Sequence, residues 1–293
     1  MDSKISTLIE PDEHQAILEL AALFTADFSI DWLIALTNIK PTRVLAYIEE
    51  AFQAGLLKKK SLGVYYFSDP QQKEVLRSQL SPEERSKRHG EISDFLIREL
   101  PDDSITAELI SDHLLQAAYS MERCRWLLKT GLTCYKNYQT EKAQECYQKA
   151  IQDLSVITGE EADGLFCEAA IQCSKLSTAS HHDTLQVLSV LDTALTKAKS
   201  LNNYRHQSLL EMHLAKNEWL RSRYEPALKH FEEGWSLAQK IGEEKLLNSA
   251  MTFRIFFLFW QGRFKEAVTT HKKFVPDVER HPRGRFPALE AAT

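Results

Sequence analysis

Glycine and proline are scarce, ten and nine in 293 residues, and alternating apolar-polar segments are few. A chain so poor in turn formers and in period-two patterning is mostly helical. No apolar run approaches the roughly 20 residues that span a bilayer. The longest, Ile255 to Trp260, is bracketed by Arg254 and Arg263. The opening "MDSKISTLIEPDEHQ" carries acids where a secretory signal would need apolar residues, so the cytoplasm is the expected location. There is no basic excess: 36 Lys and Arg against 41 Asp and Glu leave a formal charge of −5, which argues against a general nucleic-acid binder. Five cysteines, at 124, 134, 146, 167 and 173, form an odd set without a Cys-x-x-Cys pair. They read as buried, reduced thiols rather than disulfides or zinc ligands.

Catalytic signatures are missing as well. The phosphate cradle G-x-x-x-x-G-K-[ST] does not occur, nor does a Gly-x-Ser-x-Gly elbow or a His-Glu-x-x-His helix. His206 and His213 are seven apart, and His181 and His182 are adjacent in "STASHHDT", so neither pair has metal-ligand spacing. Adjacent carboxylates such as Glu160-Glu161, Glu232-Glu233 and Glu243-Glu244 diverge on a helix and stay solvated. The expectation is a non-catalytic chain without cofactor or metal.

What is present falls into two patterns. Over residues 1–80, "HQAILELAALF" (14–24), "SIDWLIALT" (29–37, capped by Ser29) and "RVLAYIEEAFQAG" (capped by Thr42 and stopped by Gly55) predict three helices. "GLLKKKSLGVYYFS" (55–68) then predicts a β-hairpin around Ser61-Leu62-Gly63. Three helices and a two-stranded wing describe a winged helix-turn-helix. Connecting helices follow over 81–122, the first opened by Ser81 as cap, Pro82 at the first helical position and Glu84 three beyond the cap.

From 123 to 293 the pattern is one of helix pairs. "YEPALKHFEEG" (224–234) aligns on "FKEAVTTHKKF" (264–274) at a shift of 40, with Ala227 over Ala267 and Trp219 over Phe259. An earlier unit carries Gly131, Ala143, Tyr147 and Ala150 at offsets 0, 12, 16 and 19, and a degenerate one uses Val187, Leu191 and Ala194 in its second helix. These offsets resemble the tetratricopeptide repeat, in which small residues let two helix backbones approach. The apolar run of residues 255–260 becomes the inner helix of the last unit, turned at Gly262.

The join between the two patterns is more specific than either. "AILELAALFTADFSIDWLIAL", then "IEEAFQAGLLKKKSLGVYYFSDPQQKEVLRSQLSPEERSKRHGEISDFL", then "SDHLLQAA" leading into a repeat, resembles the region that follows the ATPase module in STAND-type signal-transduction ATPases, over about residues 8 to 155. That class includes regulators related to the maltose-regulon activator. The resemblance implies a mainly α chain, a winged helix followed by a tetratricopeptide-like α-α superhelix, without the nucleotide-binding module, so no ATP chemistry passes to any residue here. It also implies a piece of a longer protein, cut short at the C-terminus. His89 and His113 stand where that class often has histidine and are expected to pack within their helices.

The third helix offers only Arg43 beside Glu49 and Glu50, and the first 80 residues hold eight basic against eleven acidic side chains, a poor face for a duplex. Lys58, Lys59 and Lys60 are candidate phosphate contacts, although protection of a strand edge is the preferred reading. Counting along the first helix of each pair places Arg125, Leu128, Leu132 and Tyr135, then Met212, Lys216 and Trp219, then Thr252, Phe256 and Phe259 on a concave face. An aromatic groove with isolated cations suits a protein or peptide partner or a small effector. The expected role is a regulatory, protein-interaction segment whose winged helix relays the bound state to an ATPase or output domain. The alternative is a DNA-binding winged-helix transcription factor with a repeat sensor.

Overall fold

The computed structural model describes residues 11–101, 103–177 and 184–274. The chain divides into two compact units, Met1–Cys146 and Tyr147–Thr293.

In the first unit, helix α1 (Pro11–Ala22) is followed by a two-residue strand β1 (Phe28–Ser29), α2 (Ile30–Leu36) and α3 (Pro41–Gln53). Strands β2 (Leu57–Ser61) and β3 (Val64–Phe67) come next, then α4 (Pro70–Gln79), α5 (Pro82–Glu99), α6 (Ser104–Leu114) and α7 (Met121–Lys136). The hairpin turns at Leu62-Gly63, where Gly63 has φ +72°, and β1 adds antiparallel to β3 with Phe28 opposite Tyr65. The sheet order is β1-β3-β2, so β2, carrying the three lysines, is an edge strand. The expected hairpin is therefore two strands of a three-stranded sheet.

The caps follow from side-chain chemistry. Ser29 accepts from the Asp31 amide at 3.2 Å, as its position predicts. Thr42 is a correction: α3 begins one residue earlier at Pro41, with Lys40 at the cap and no side-chain hydrogen bond there. Pro41 sets the helix start because its fixed φ fits the first turn and it has no amide to satisfy. Gly55 ends α3 at φ +77°, as expected.

At α5 the capping box is complete: Ser81 Oγ accepts from the Glu84 amide at 3.2 Å and Glu84 accepts from the Ser81 amide at 3.0 Å. Those hydrogen bonds hold the Glu84 carboxyl below the usual carboxylate range. Ser81→Ala removes one partner and is expected to cost about 1 kcal/mol of stability in a urea titration. Helix α1 packs on α2, α3 and α4, α2 on α3 and α5, and α5 on α6, which in turn meets α7. Ile17, Ala21, Phe24, Leu33, Val44, Ile48, Ile92 and Leu96 fill the interior.

Helix α8 (Thr140–Leu154) contains the boundary between the units. The second unit continues with α9 (Glu160–Ser177), α10 (Thr184–Ser200), α11 (Tyr204–Leu220), α12 (Tyr224–Ile241), α13 (Glu244–Trp260) and α14 (Phe264–Phe274). Each of the pairs α9/α10, α11/α12 and α13/α14 packs together. The first helices also meet each other, α9 on α11 and α11 on α13, and each second helix meets the next first helix. This is the neighbour pattern of a stacked helical repeat. The period of 40 is literal: α11 and α13 begin at 204 and 244, α12 and α14 at 224 and 264.

Three of the intra-pair turns share one geometry. After α7, α11 and α13 the second residue is left-handed (Tyr138, Ser222 and Gly262, φ 64°, 60° and 75°). The third residue then donates its amide to a carbonyl five positions back: Gln139 to Cys134, Arg223 to Glu218 and Arg263 to Leu258, at 2.9 to 3.0 Å. Ala227 and Ala267 are buried at 0% and 6% exposure, as the close-approach argument requires. Val187, Leu191 and Ala194 are likewise buried on α10. Gly234 is tighter still, since a Cβ there would stand 2.9 Å from the Ser208 carbonyl oxygen on α11.

Candidate partner-binding surface

The ten expected groove residues divide between the units: Arg125, Leu128, Leu132 and Tyr135 lie on α7, and the other six on α11 and α13. Arg125 is exposed, and Leu132 and Tyr135 are half-buried. Leu128 and Met212 are corrections, because both are core. Leu128 is 7% exposed, and Met212 is fully buried among Ala238, Leu246 and Ala250. Met212 faces the Gly234 contact on α12, so counting along α11 placed it one face away from where packing puts it.

Lys216, Trp219, Thr252 and Phe256 are half-buried, and Phe259 is 54% exposed. Trp219 stands edge-on to Phe257 at 5.2 Å and, with Phe256, packs over Ala215, Ala227 and Phe257. Phe259 instead meets Phe264 at 5.3 Å and Trp260 at 5.9 Å. The run that begins at Ile255 thus does two things: Phe257 and Leu258 turn inward, while Phe259 and Trp260 remain outside.

Beside the aromatic residues lies a polar group that spacing alone did not reveal. Asn217 Nδ2 donates to Ser174 Oγ at 3.0 Å and to the His213 carbonyl at 2.8 Å, and Ser174 Oγ lies 3.1 Å from His213 Nδ1. All three side chains are buried. Burial holds the His213 imidazole well below its ordinary pKa, with Lys216 and Lys175 adding to the effect, so the ring is neutral. Lys216 Nζ donates to the Ser174 carbonyl at 3.1 Å, and burial, reinforced by Lys175, pushes its pKa down to about 8. Lys175 is lowered by its own burial. The hint in the sequence was the string His-Leu-Ala-Lys-Asn inside an otherwise buried helix. Nothing in that string pointed to Ser174, which is contributed by α9.

The other histidine contacts are structural. Glu211, 2% exposed, holds His230 Nδ1 at 2.6 Å and Lys199 at 3.7 Å, and the hydrogen bond to Glu211 raises the His230 pKa. In the first unit His89 and His113 face each other through Nδ1 at 3.0 Å, both buried, a pairing that their separate packing roles did not imply. His181 and His182 lie outside the described residues.

All five cysteines are buried and none forms a disulfide. Burial raises the thiols, those of Cys134, Cys167 and Cys173 to about 11 and that of Cys146 further, so thiolate is scarce at neutral pH. Among the described residues no group of three or more His, Cys, Asp or Glu could hold a metal ion, and no helix is long and apolar enough to cross a membrane.

On the edge strand Lys60 pairs with Asp27 at 2.9 Å, and Lys59 stands over the Tyr65 ring at 5.9 Å. Arg43, the one arginine of α3, pairs with Glu13 at 2.9 Å. The outer face of α3 leaves Leu45, Ala46, Glu49 and Glu50 exposed.

Among solved structures, a signal transduction ATPase with numerous domains and a tetratricopeptide repeat sensor, from Pyrococcus horikoshii, aligns over 98% of this chain and 53% of its own. The identity is 13% and the TM-score 0.44. The apo form of RapI aligns over 94% of this chain and 67% of its own, at 13% identity and a TM-score of 0.46. Aspartyl phosphate phosphatase F from Bacillus subtilis aligns over 97% and 79%, at 11% identity and a TM-score of 0.47. This chain spans about half the length of the first of them. No family model and no curated protein matches. Identity and score are too low for the activity of any of these proteins to pass to this chain.

Proposed function

We propose that the helix pairs bind a peptide segment of a protein partner, or a comparable effector, on the face formed by α11 and α13. The N-terminal helices and sheet, a winged helix, relay the bound state to a neighbouring ATPase or output domain. One observation carries the reading: Trp219 and Phe256 remain partly exposed over a core already filled by Ala215, Ala227 and Phe257, and Lys216, Thr252 and Phe259 are partly or largely exposed on the same two first helices. Partly exposed aromatic side chains next to a cation are what a peptide-binding face requires.

The element order α1-β1-α2-α3-β2-β3 supports the winged-helix assignment. The acids on the outer face of α3, and the use of Arg43 and Lys60 in ion pairs, favour a packing and relay role over groove reading. A relay of this kind needs an effector that prefers one arrangement of the chain over another.

Peptides selected from a random library on the whole chain are expected to bind with a Kd on the order of micromolar. Their affinity, read by fluorescence anisotropy, should fall at least ~10-fold in the Trp219→Ala/Phe259→Ala double variant. Phe259→Ala alone is the cleaner change, because that ring is 54% exposed whereas Trp219 also packs on Phe257. Undiminished binding by a folded double variant would show that this face is not the site.

A further inference from the structure

Helix α6 is tied to its surroundings from two sides by polar side chains. Its apolar residues Ala107, Ile110 and Leu114 are buried, and it packs on α5 and α7. On the N-terminal side, Thr25, in the loop between α1 and β1, donates its hydroxyl to Asp112 Oδ2 at 2.7 Å. Lys73 of α4 secures that loop by donating to the Thr25 carbonyl at 2.9 Å, and Arg77 of α4 donates to Gln116 Oε1 just past the end of α6. Gln116 in turn donates to the Asp112 carbonyl at 3.2 Å.

From the other side comes α8. Lys142 Nζ donates to Asp112 Oδ1 at 2.8 Å, and Gln139, just before α8, donates to Glu108 Oε2, also at 2.8 Å. Asp112 therefore gives one oxygen to the loop before β1 and the other to the second helix of the first pair. Both are hydrogen bonds to an ionised acceptor, the strong class. The carboxylate is planar and its side chain is 18% exposed, so a rotation that improves one contact weakens the other. Lys142 has a second carboxylate within reach: Glu145, one turn along α8, lies 3.4 Å from the ammonium and is 55% exposed. The lysine can leave Asp112 and keep a counter-charge, which lowers the cost of releasing α6.

We propose that Asp112 is the positioning residue of the relay: through its two oxygens, the loop before β1 and the first helix pair each respond to whether the other is in place. The inference rests on the relay part of the reading above and adds the residue that carries it. Helix α8 runs on from Lys142 across the boundary between the units, so a disturbance of the repeats reaches Lys142 along one helix. Lys142 then divides between Asp112 and Glu145, and the carboxylate it leaves or joins is the one that holds Thr25. Two discrete partners for one ammonium supply the two-state element that a relay needs.

The test is a double-substitution cycle on the whole chain, read by amide hydrogen exchange over residues 26–36. Lys142→Met is expected to speed exchange there at least ~3-fold, the size of coupling seen between residues that share a partner. The same substitution made in a Thr25→Val background should change it little, because the loop has already lost its tie. Asp112→Asn keeps the shape and one acceptor oxygen but cannot accept on both sides. In that background Lys142→Met should no longer reach residues 26–36, and Thr25→Val should no longer reach α8. Unchanged exchange in α11 certifies that each variant is folded.

A carboxylate with a structural role alone gives effects of Thr25→Val and Lys142→Met that multiply independently, and that result overturns the proposal. So does coupling that survives Asp112→Asn, or a Lys142→Met protein in which residues 26–36 exchange as in the parent. Peptide affinity for the α11/α13 face is a separate measurement. Peptide binding that is lost in Phe259→Ala, together with an additive cycle, removes Asp112 from the relay and leaves the binding face standing.

Discussion

Acidification from pH 7 to 4.5 is expected to lower the stability of the N-terminal unit steeply, and His89 and His113 are the reason. Their Nδ1 atoms lie 3.0 Å apart in a buried contact between α5 and α6. One ring must donate to the other's lone pair, so the acceptor must be neutral, and burial disfavours a charge on the donor as well. Burial lowers the His89 pKa to about 4, helped by Arg77 and Arg85 and opposed by Asp112. Burial and the His89 charge lower that of His113 to about 3, with Asp112 opposing and Arg77 assisting.

The folded-state values lie below that of an unfolded histidine, so the unfolded chain binds more protons as the pH falls through about 6.5. The stability associated with the neutral rings is fully present above that pH and is lost on the way down toward 4. Each histidine contributes about 1.4 kcal/mol per pH unit in that window. Urea midpoints read from Trp32 fluorescence test this, since Trp32 stacks on Phe24, whose ring meets His113 edge-on at 5.1 Å. His89→Leu/His113→Phe should flatten the dependence. At pH 7 the double variant should cost little, because both Nε2 atoms are buried without partners and removing both rings removes that debt with the bond. A midpoint equally steep with and without the two imidazoles would refute the assignment.

The second large effect is steric. A Cβ at Gly234 would meet the Ser208 carbonyl oxygen at 2.9 Å, Met212 Cγ at 3.0 Å and Glu211 Cβ at 3.1 Å. The first of these is backbone and cannot rotate away. Ser208 Oγ also donates to the Gly234 carbonyl at 2.7 Å, which ties α11 to α12 at the point of closest approach. Gly234→Val is therefore expected to push the helices apart and cost about 3 kcal/mol, a drop of roughly 6 to 12 °C in melting temperature for a unit of this size.

Gly90→Ala is the control. Its Cβ would approach the Arg123 guanidinium at 2.6 Å, but that is the far end of a flexible side chain. Arg123 can give up its hydrogen bond to Asp94, and the gain in helix propensity is up to about 1 kcal/mol, so the net change should be small. Two glycines within helices, both crowded, should thus differ sharply, one substitution being nearly neutral and the other strongly destabilising. A Gly234→Val protein that melts like its parent would mean that α11 and α12 do not approach as described.

Much of the architecture was legible because it is written in local chemistry. Ser81, Pro82 and Glu84 make their capping box among themselves, Gly55 and Gly63 occupy left-handed turns, and Ala227 and Ala267 mark the repeat of 40 and lie in the interior. These depend on a few neighbouring residues and on helical periodicity. The turns after α7 and α11 were harder to see, since Tyr138 and Ser222 take the left-handed conformation that only Gly262 announces by residue type.

What the amino acids determined alone was the helical class, the pairing of helices and the absence of the known phosphate-binding and nucleophile motifs. Tertiary structure decided the rest. Met212 and Leu128 have the spacing of surface residues and are core, because the neighbouring helix, not the helix's own period, chooses which stripe is covered. His89 finds His113 from 24 positions away, and Ser174 meets His213 and Asn217 across 39 and 43. Side chains so far apart in the chain become one site only when the backbones carrying them are packed, and no periodicity within a single helix encodes that meeting.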